Sequence, residues 1–180
     1  MKQNWYVVYT RTNAEKKVAM HLAKKGFEAF CPLNCLMSSY HDRKKLSFEP
    51  MFKNFVFVKT SELKLKEITN TSDVINLVYW LNKPATIKDA EVEDIKLFLN
   101  EFKNVQLEHL PVNQASLLHI TEMKRAINSD GGSVVAITRN DIVKLTIPSL
   151  GYVMIAEIEK TNAEVFTATA SIAQQFIPSF

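Results

Sequence analysis

Glycine is scarce in this chain. The four present, Gly26, Gly131, Gly132 and Gly151, form neither a phosphate-cradling loop nor a dinucleotide fingerprint, because both need glycines at fixed short spacings so that backbone amides can close on a phosphate. Cysteine is scarcer still. Cys31 and Cys35 are too few for a disulfide framework, and without a second pair they make no structural zinc site. They read as packing residues or free thiols. The four histidines, His21, His41, His109 and His119, lack metal-ligand spacing, and no nucleophile motif of the Gly-x-Ser-x-Gly kind accompanies them. An active site assembled from distant residues has no motif support, so no catalytic residue, metal or cofactor is expected and the chain reads as a binding protein. Long apolar runs are absent too: none approaches the roughly 18 residues of a membrane helix. The start, Met1-Lys2-Gln3-Asn4-Trp5, leads directly into a strand pattern without a signal-peptide apolar region. No membrane partner is expected, and the expected address is cytoplasmic.

What the chain does have is an ordinary globular balance, with 47% apolar and 23% charged residues over 180 positions. Its net charge of +3 is unevenly spread. Residues 1–103 carry 17 Lys and Arg against 12 Asp and Glu, and residues 104–180 carry 5 against 7. That asymmetry favours two domains with different partners. The expected division is a first domain over 1–103, a linker over 104–133 and a second domain over 134–180.

Within the first domain, Trp5 to Thr10 reads as a strand. A helix follows, with Thr12 and Glu15 at capping-box spacing and Gly26 as its stop. A strand near Phe27 to Leu33, a polar stretch at Ser38 to Lys45 and a strand at Asn54 to Lys59 make a hairpin with a basic tip. A short helix from Ser61 to about Asn70 and a strand from Val74 to Trp80 come next. Last is a helix from Asp89 to Phe102, with Val92, Ile95, Phe98, Leu99 and Phe102 on one face and Glu91, Glu93 and Asp94 where the helix dipole favours acids. The order β-α-β-β-α-β-α predicts an α+β fold: an antiparallel sheet flanked by helices. The linker holds one helical piece near Leu117 to Ile127. From there the texture changes to short strands at 134–138, 142–147, 152–158 and 163–169, the spacing of a small β-barrel.

The segment Phe55-Val56-Phe57-Val58 is apolar on both faces, since successive strand side chains point opposite ways. Trp5, Val7 and Tyr9 share one face of the first strand, and Phe55 and Phe57 share one face of a later strand. If those faces coincide, they form an apolar surface that either a helix of this chain or a partner must cover. Arg11, Lys16, Arg43, Lys44 and Lys45 are candidate nucleic-acid contacts, because phosphates ask only for positive charge within reach. A solvated hairpin tip and the wet side of an amphipathic helix explain the same residues equally simply.

Trp5-Tyr6-Val7-Val8-Tyr9-Thr10, the charged helix after it, and Glu49-Pro50-Met51-Phe52-Lys53-Asn54-Phe55-Val56-Phe57-Val58 together resemble the N-terminal domain of NusG-family transcription factors, closest to the RfaH-like and UpxY-like specialised paralogues. Asn140-Asp141-Ile142-Val143-Lys144-Leu145 through Ser149-Leu150-Gly151-Tyr152 resembles the opening of a KOW β-barrel. The resemblance implies an elongation and antitermination factor that docks on the clamp helices of the largest RNA polymerase subunit and suppresses pausing and termination, for an operon set such as surface polysaccharide genes. By matching position, Val7, Tyr9, Phe52, Phe55 and Phe57 would form the polymerase-binding surface. Non-template DNA is a further implied partner, and the KOW-like domain would recruit a ribosomal protein or a termination factor or mask the first domain. Lys53 stands where the family has proline, Asn140 where it has glycine, and Lys64-Leu65-Lys66-Glu67 where RfaH-like proteins have a threonine-rich segment. Met154 to Lys160 and Ala163 to Gln175 suit helix as well as strand, so a helical masking state is a further expectation. The reading from another class is an RNA- or ribosome-binding protein with bases stacked on Tyr9 and Phe55.

Overall fold

The computed structural model describes residues 2–40, 43–110, 135–137 and 142–157. The first strand, β1 (Asn4–Thr10), is rich in β-branched and aromatic residues and sits at the centre of an antiparallel sheet. On one side it pairs with β5 (Phe55–Thr60), which in turn pairs with β2 (Glu28–Phe30). On its other side, β6 (Val74–Leu77) takes the end of β1 at Val8–Thr10, and β9 (Thr86–Ile87) takes the start at Trp5–Tyr6. Between them the chain leaves the sheet as a small hairpin of β7 (Tyr79–Trp80) and β8 (Lys83–Pro84). Val7 bridges the gap, donating its N–H to Ala85 O at 3.1 Å and accepting from Val78 N at 2.9 Å.

One sheet face carries Tyr6, Val8, Val56 and Val58, packed on Val18 and Leu22 of α1 (Glu15–Lys24) and on Leu65 and Ile68 of α2 (Leu65–Thr69). A 3-10 turn at Glu62–Lys64 precedes α2, so the single helix expected there is two short pieces. The other face carries Trp5, Val7 and Phe57, packed on Val92, Ile95 and Phe98 of α3 (Asp89–Glu101). Gly26, at φ +85°, ends α1, where Phe27 N donates to Leu22 O at 3.1 Å.

The expected capping box at Thr12 is not formed: α1 begins at Glu15 with no side-chain cap. Instead, the Glu15 carboxylate accepts the Asn54 N–H at 2.7 Å, and the Thr12 hydroxyl accepts from Asn54 Nδ2 at 3.1 Å. Asn54 sits at φ +65°, in the turn that feeds β5, so the groups suited to closing a helix end fasten that turn to α1.

The strand expected over residues 27–33 is split, because Pro32 has no N–H to offer a ladder. After it, β3 (Leu33–Tyr40) and β4 (Arg43–Pro50) form a separate two-stranded ribbon. The ribbon's base is clasped by the segment after α3. Asn34, buried, donates to Val105 O at 2.7 Å and accepts from Val105 N at 3.1 Å. Asn104 accepts from Met37 N at 2.8 Å and donates its own N–H to Cys35 O at 2.9 Å.

Gln106 to His109, expected to be linker, form a strand, β10, which pairs with β13 (Tyr152–Glu157). With β12 (Ile142–Ile147) and β11 (Val135–Ile137) this makes a second antiparallel sheet in the order β10-β13-β12-β11. The expected helical piece at 117–127 and the strand at 163–169 lie outside the described residues. Among the described residues the second unit is therefore an open four-stranded sheet. Its β13 runs through Met154–Glu157, where a helical masking state was an expectation, so this stretch packs as strand.

Because Asn34 satisfies both backbone groups of one buried residue, Val105, Asn34→Ala leaves an N–H and a carbonyl without that partner. A loss of about 2–3 kcal/mol in unfolding free energy is expected, read as a lower urea midpoint.

Candidate docking face

In the antiparallel register of β1 and β5, Tyr9 faces Phe55, Val7 faces Phe57 and Trp5 faces Lys59. The two strand faces coincide, as the alternation required. Tyr9 and Phe55 meet edge-to-face with ring centroids 6.0 Å apart, and Phe52 meets Phe57 likewise at 5.6 Å. All five residues expected to bind polymerase thus lie together.

They are not equally open. Tyr9 is 40% exposed and Phe55 half-buried, whereas Val7, Phe52 and Phe57 are buried. Of the two covers that the strand pattern left open, the chain supplies its own over Val7, Phe52 and Phe57. At one end the cover is α3: Trp5 Nε1 donates to the Asp89 carboxylate at 3.0 Å, and the Lys96 ammonium lies over the rings of Trp5 and Phe30 at 5.6 and 5.4 Å. At the other end it is the second sheet: Tyr152 meets Phe52 edge-to-face at 5.8 Å, and Val143, Leu145, Ile147, Met154 and Ala156 belong to the same continuous apolar cluster. Those five come from alternate positions of β12 and β13, so one whole face of the second sheet is turned inward.

A polar contact joins the two parts as well. Glu91, in the first turn of α3, is only 2% exposed. Its carboxylate accepts the Lys88 N–H at 3.0 Å, which closes the helix start, and the Ser149 N–H at 3.0 Å. The Ser149 hydroxyl also donates to it. The sequence pattern marks Glu91 only as an acid that the helix dipole favours. Nothing in the spacing of the two segments places them together.

The nucleic-acid candidates are less coherent. Arg11 and Lys45 are exposed, and Lys16 spends its ammonium on the Phe48 carbonyl of β4. Arg43 and Lys44 are placed in β4 by their backbone alone. An exposed apolar group that periodicity had assigned simply to strand lies at the β7–β8 turn, where Trp80 is 75% and Leu81 86% exposed, with Leu81 and Asn82 at positive φ. Cys31 and Cys35 are free, and burial pushes the Cys31 thiol up to about 11, so it is protonated and inert at neutral pH. Among the described residues no cluster of ligand-type side chains suits a metal, and no helix is long and apolar enough to cross a membrane.

Residues 3–96 match the family model described as "Transcription termination factor nusG". The chain belongs to the NusG family. NusG-family proteins are non-enzymatic transcription factors, and the matched span covers the first sheet and most of α3. Two solved structures resemble the chain at 17% identity. One, described as "Domain interaction in Thermotoga maritima NusG", aligns with a TM-score of 0.42 over 88% of this chain and 99% of its own. The other, the MjSpt4:Spt5 complex, aligns with a TM-score of 0.33 over 86% and 99%. No curated protein matches the chain.

The Lys59 ammonium, 2.6 Å from the Asp89 carboxylate, holds that carboxyl below its usual range, and the Trp5 contact adds to the effect. A lowered folded-state value means that the interaction is present above the ordinary carboxylate range and is lost as pH falls through the lowered value. The Trp5 indole N–H resonance should therefore stay constant from neutrality down through the ordinary carboxylate range and move only below it. In Asp89→Asn that titration should vanish.

Proposed function

We propose that this protein is a transcription elongation and antitermination factor that docks on the clamp helices of the largest RNA polymerase subunit through the face of Val7, Tyr9, Phe52, Phe55 and Phe57. The observation that carries the reading is the β1–β5 register, which sets Val7, Tyr9, Phe55 and Phe57 on one side of one sheet, with Phe52 packed on Phe57 and Tyr9 and Phe55 at the open end. Membership of a family of transcription factors supplies the class of process. The second sheet then serves as a cover, and polymerase replaces Tyr152 and its neighbours on Phe52. A face held shut in the free protein fits a factor reserved for a particular operon set, such as surface polysaccharide genes, better than one acting at every transcript. Arg11, Lys16, Arg43, Lys44 and Lys45 are the residues offered to non-template DNA. Closure of the second sheet into a KOW-like barrel, and its recruitment of a ribosomal protein or a termination factor, belong to the same reading.

Capture of RNA polymerase by the intact protein tests this. Tyr9 is exposed, so Tyr9→Asp should fold normally, and with folding of the half-buried Phe55→Asp checked by circular dichroism each variant should weaken capture by about 30-fold, the cost of losing an aromatic anchor. Undiminished capture by both variants rejects the face. A steep fall of wild-type capture with salt would instead favour phosphate-dominated binding to nucleic acid.

A further inference from the structure

The cover is held on its apolar side by contacts that any well-packed sheet would make. Beside those contacts and the β10–β13 ladder, one side-chain attachment is of a different kind. Among the described residues no lysine, arginine or histidine pairs with the buried Glu91 carboxylate, and its hydrogen bonds come from two sources: Lys88 of its own helix start and both the N–H and the hydroxyl of Ser149 in the β12–β13 turn. A buried carboxylate costs heavily unless its oxygens are satisfied, so the two donors of Ser149 weigh more than their number suggests. The Pro148-Ser149-Leu150-Gly151 turn presents them: Gly151 at φ +71° and the bonds from Gly151 N and Leu150 N back to Ile147 O tighten it around the exposed hydroxyl-bearing residue.

We infer that Glu91 and Ser149 form a latch that sets how often the second sheet lifts from the docking face. This rests on the reading of that face as a polymerase site, and it deepens that reading by assigning its regulation to a polar pair outside the face. The design has a useful asymmetry. When the sheet lifts, Glu91 keeps its bond to the Lys88 N–H and exchanges only the Ser149 donors for water, so α3 stays capped and the face beneath stays formed. The apolar contacts make the closed state stable; the latch makes its opening adjustable without altering the surface that polymerase would meet.

The test uses the intact chain with and without polymerase. Ser149→Ala removes the hydroxyl donor and leaves α3 and the turn backbone unchanged, while Glu91→Gln turns an amide, which cannot accept, toward either the Lys88 or the Ser149 N–H, since these two donate to different oxygens of the carboxylate. Opening is read as exchange of the Met154 methyl resonance and loss of cross-peaks between the Phe52 and Tyr152 rings, and α3 integrity as amide protection at Val92 and Ile95. Hydrogen bonds to a charged group are each worth enough that the open population should rise about 10-fold in Ser149→Ala and up to about 100-fold in Glu91→Gln. Amide protection in α3 should hold in Ser149→Ala, and polymerase capture should strengthen in step with opening. An unchanged open population in Ser149→Ala overturns the latch. Increased opening with no gain in capture leaves the latch standing and overturns the polymerase reading of the face.

Discussion

The whole arrangement depends on one constraint: β1 and β5 are apolar on both faces. A sheet of that kind cannot stand with one side in water, and each face here removes several large side chains that would stabilise by roughly 1.5–3 kcal/mol apiece on burial. The α1 and α2 helices settle one face permanently. On the other face α3 reaches over the Trp5 end, and Phe52 is left to a separate layer, the inward side of β12 and β13. Fold and function meet at that division, because the part of the face covered by the second sheet is covered by an element that enters late in the chain.

That division also explains why the face grades from sealed to open. Trp5 is held by a hydrogen bond, a nearby ion pair and cations over its ring, all from α3 or β5. Phe52 is held edge-to-face by Phe57 of the first sheet and by Tyr152 of the second sheet, and the exposed Tyr9 meets the half-buried Phe55 at the rim. Attachment weakens in the direction of the residues that an incoming partner would touch first.

Much of this could be read from residue order alone. The alternation Trp5-Val7-Tyr9 and Phe55-Phe57 identified the face, since strand periodicity is local and needs no knowledge of the fold. The α3 helix and β12 were legible for the same reason. The failures were all long-range. Glu15 serves Asn54, not the start of its own helix, because a turn from another part of the chain supplied a better donor. Residues 106–109, Gln-Leu-Glu-His, carry too little apolar pattern to announce a strand; they become one because β13 lies beside them. Nothing local marks Glu91 as a partner of Ser149, 58 positions away. The α+β class of the first unit and its shared apolar face were thus accessible, and the identity of the cover was not.

The placement of β10 constrains any departure of that cover. Only four residues separate the end of α3 from β10, and Asn34 pins the last of them, Val105, to the ribbon. This strand is therefore tethered to the first unit, while β11, β12 and β13 come later in the chain. Lifting them parts the ladder between β10 and β13 and leaves β10 with a vacant hydrogen-bonding rim. An unmasked molecule accordingly displays two adhesive features together, a greasy surface and an unzipped strand margin, and whatever stabilises that state gains most by engaging both.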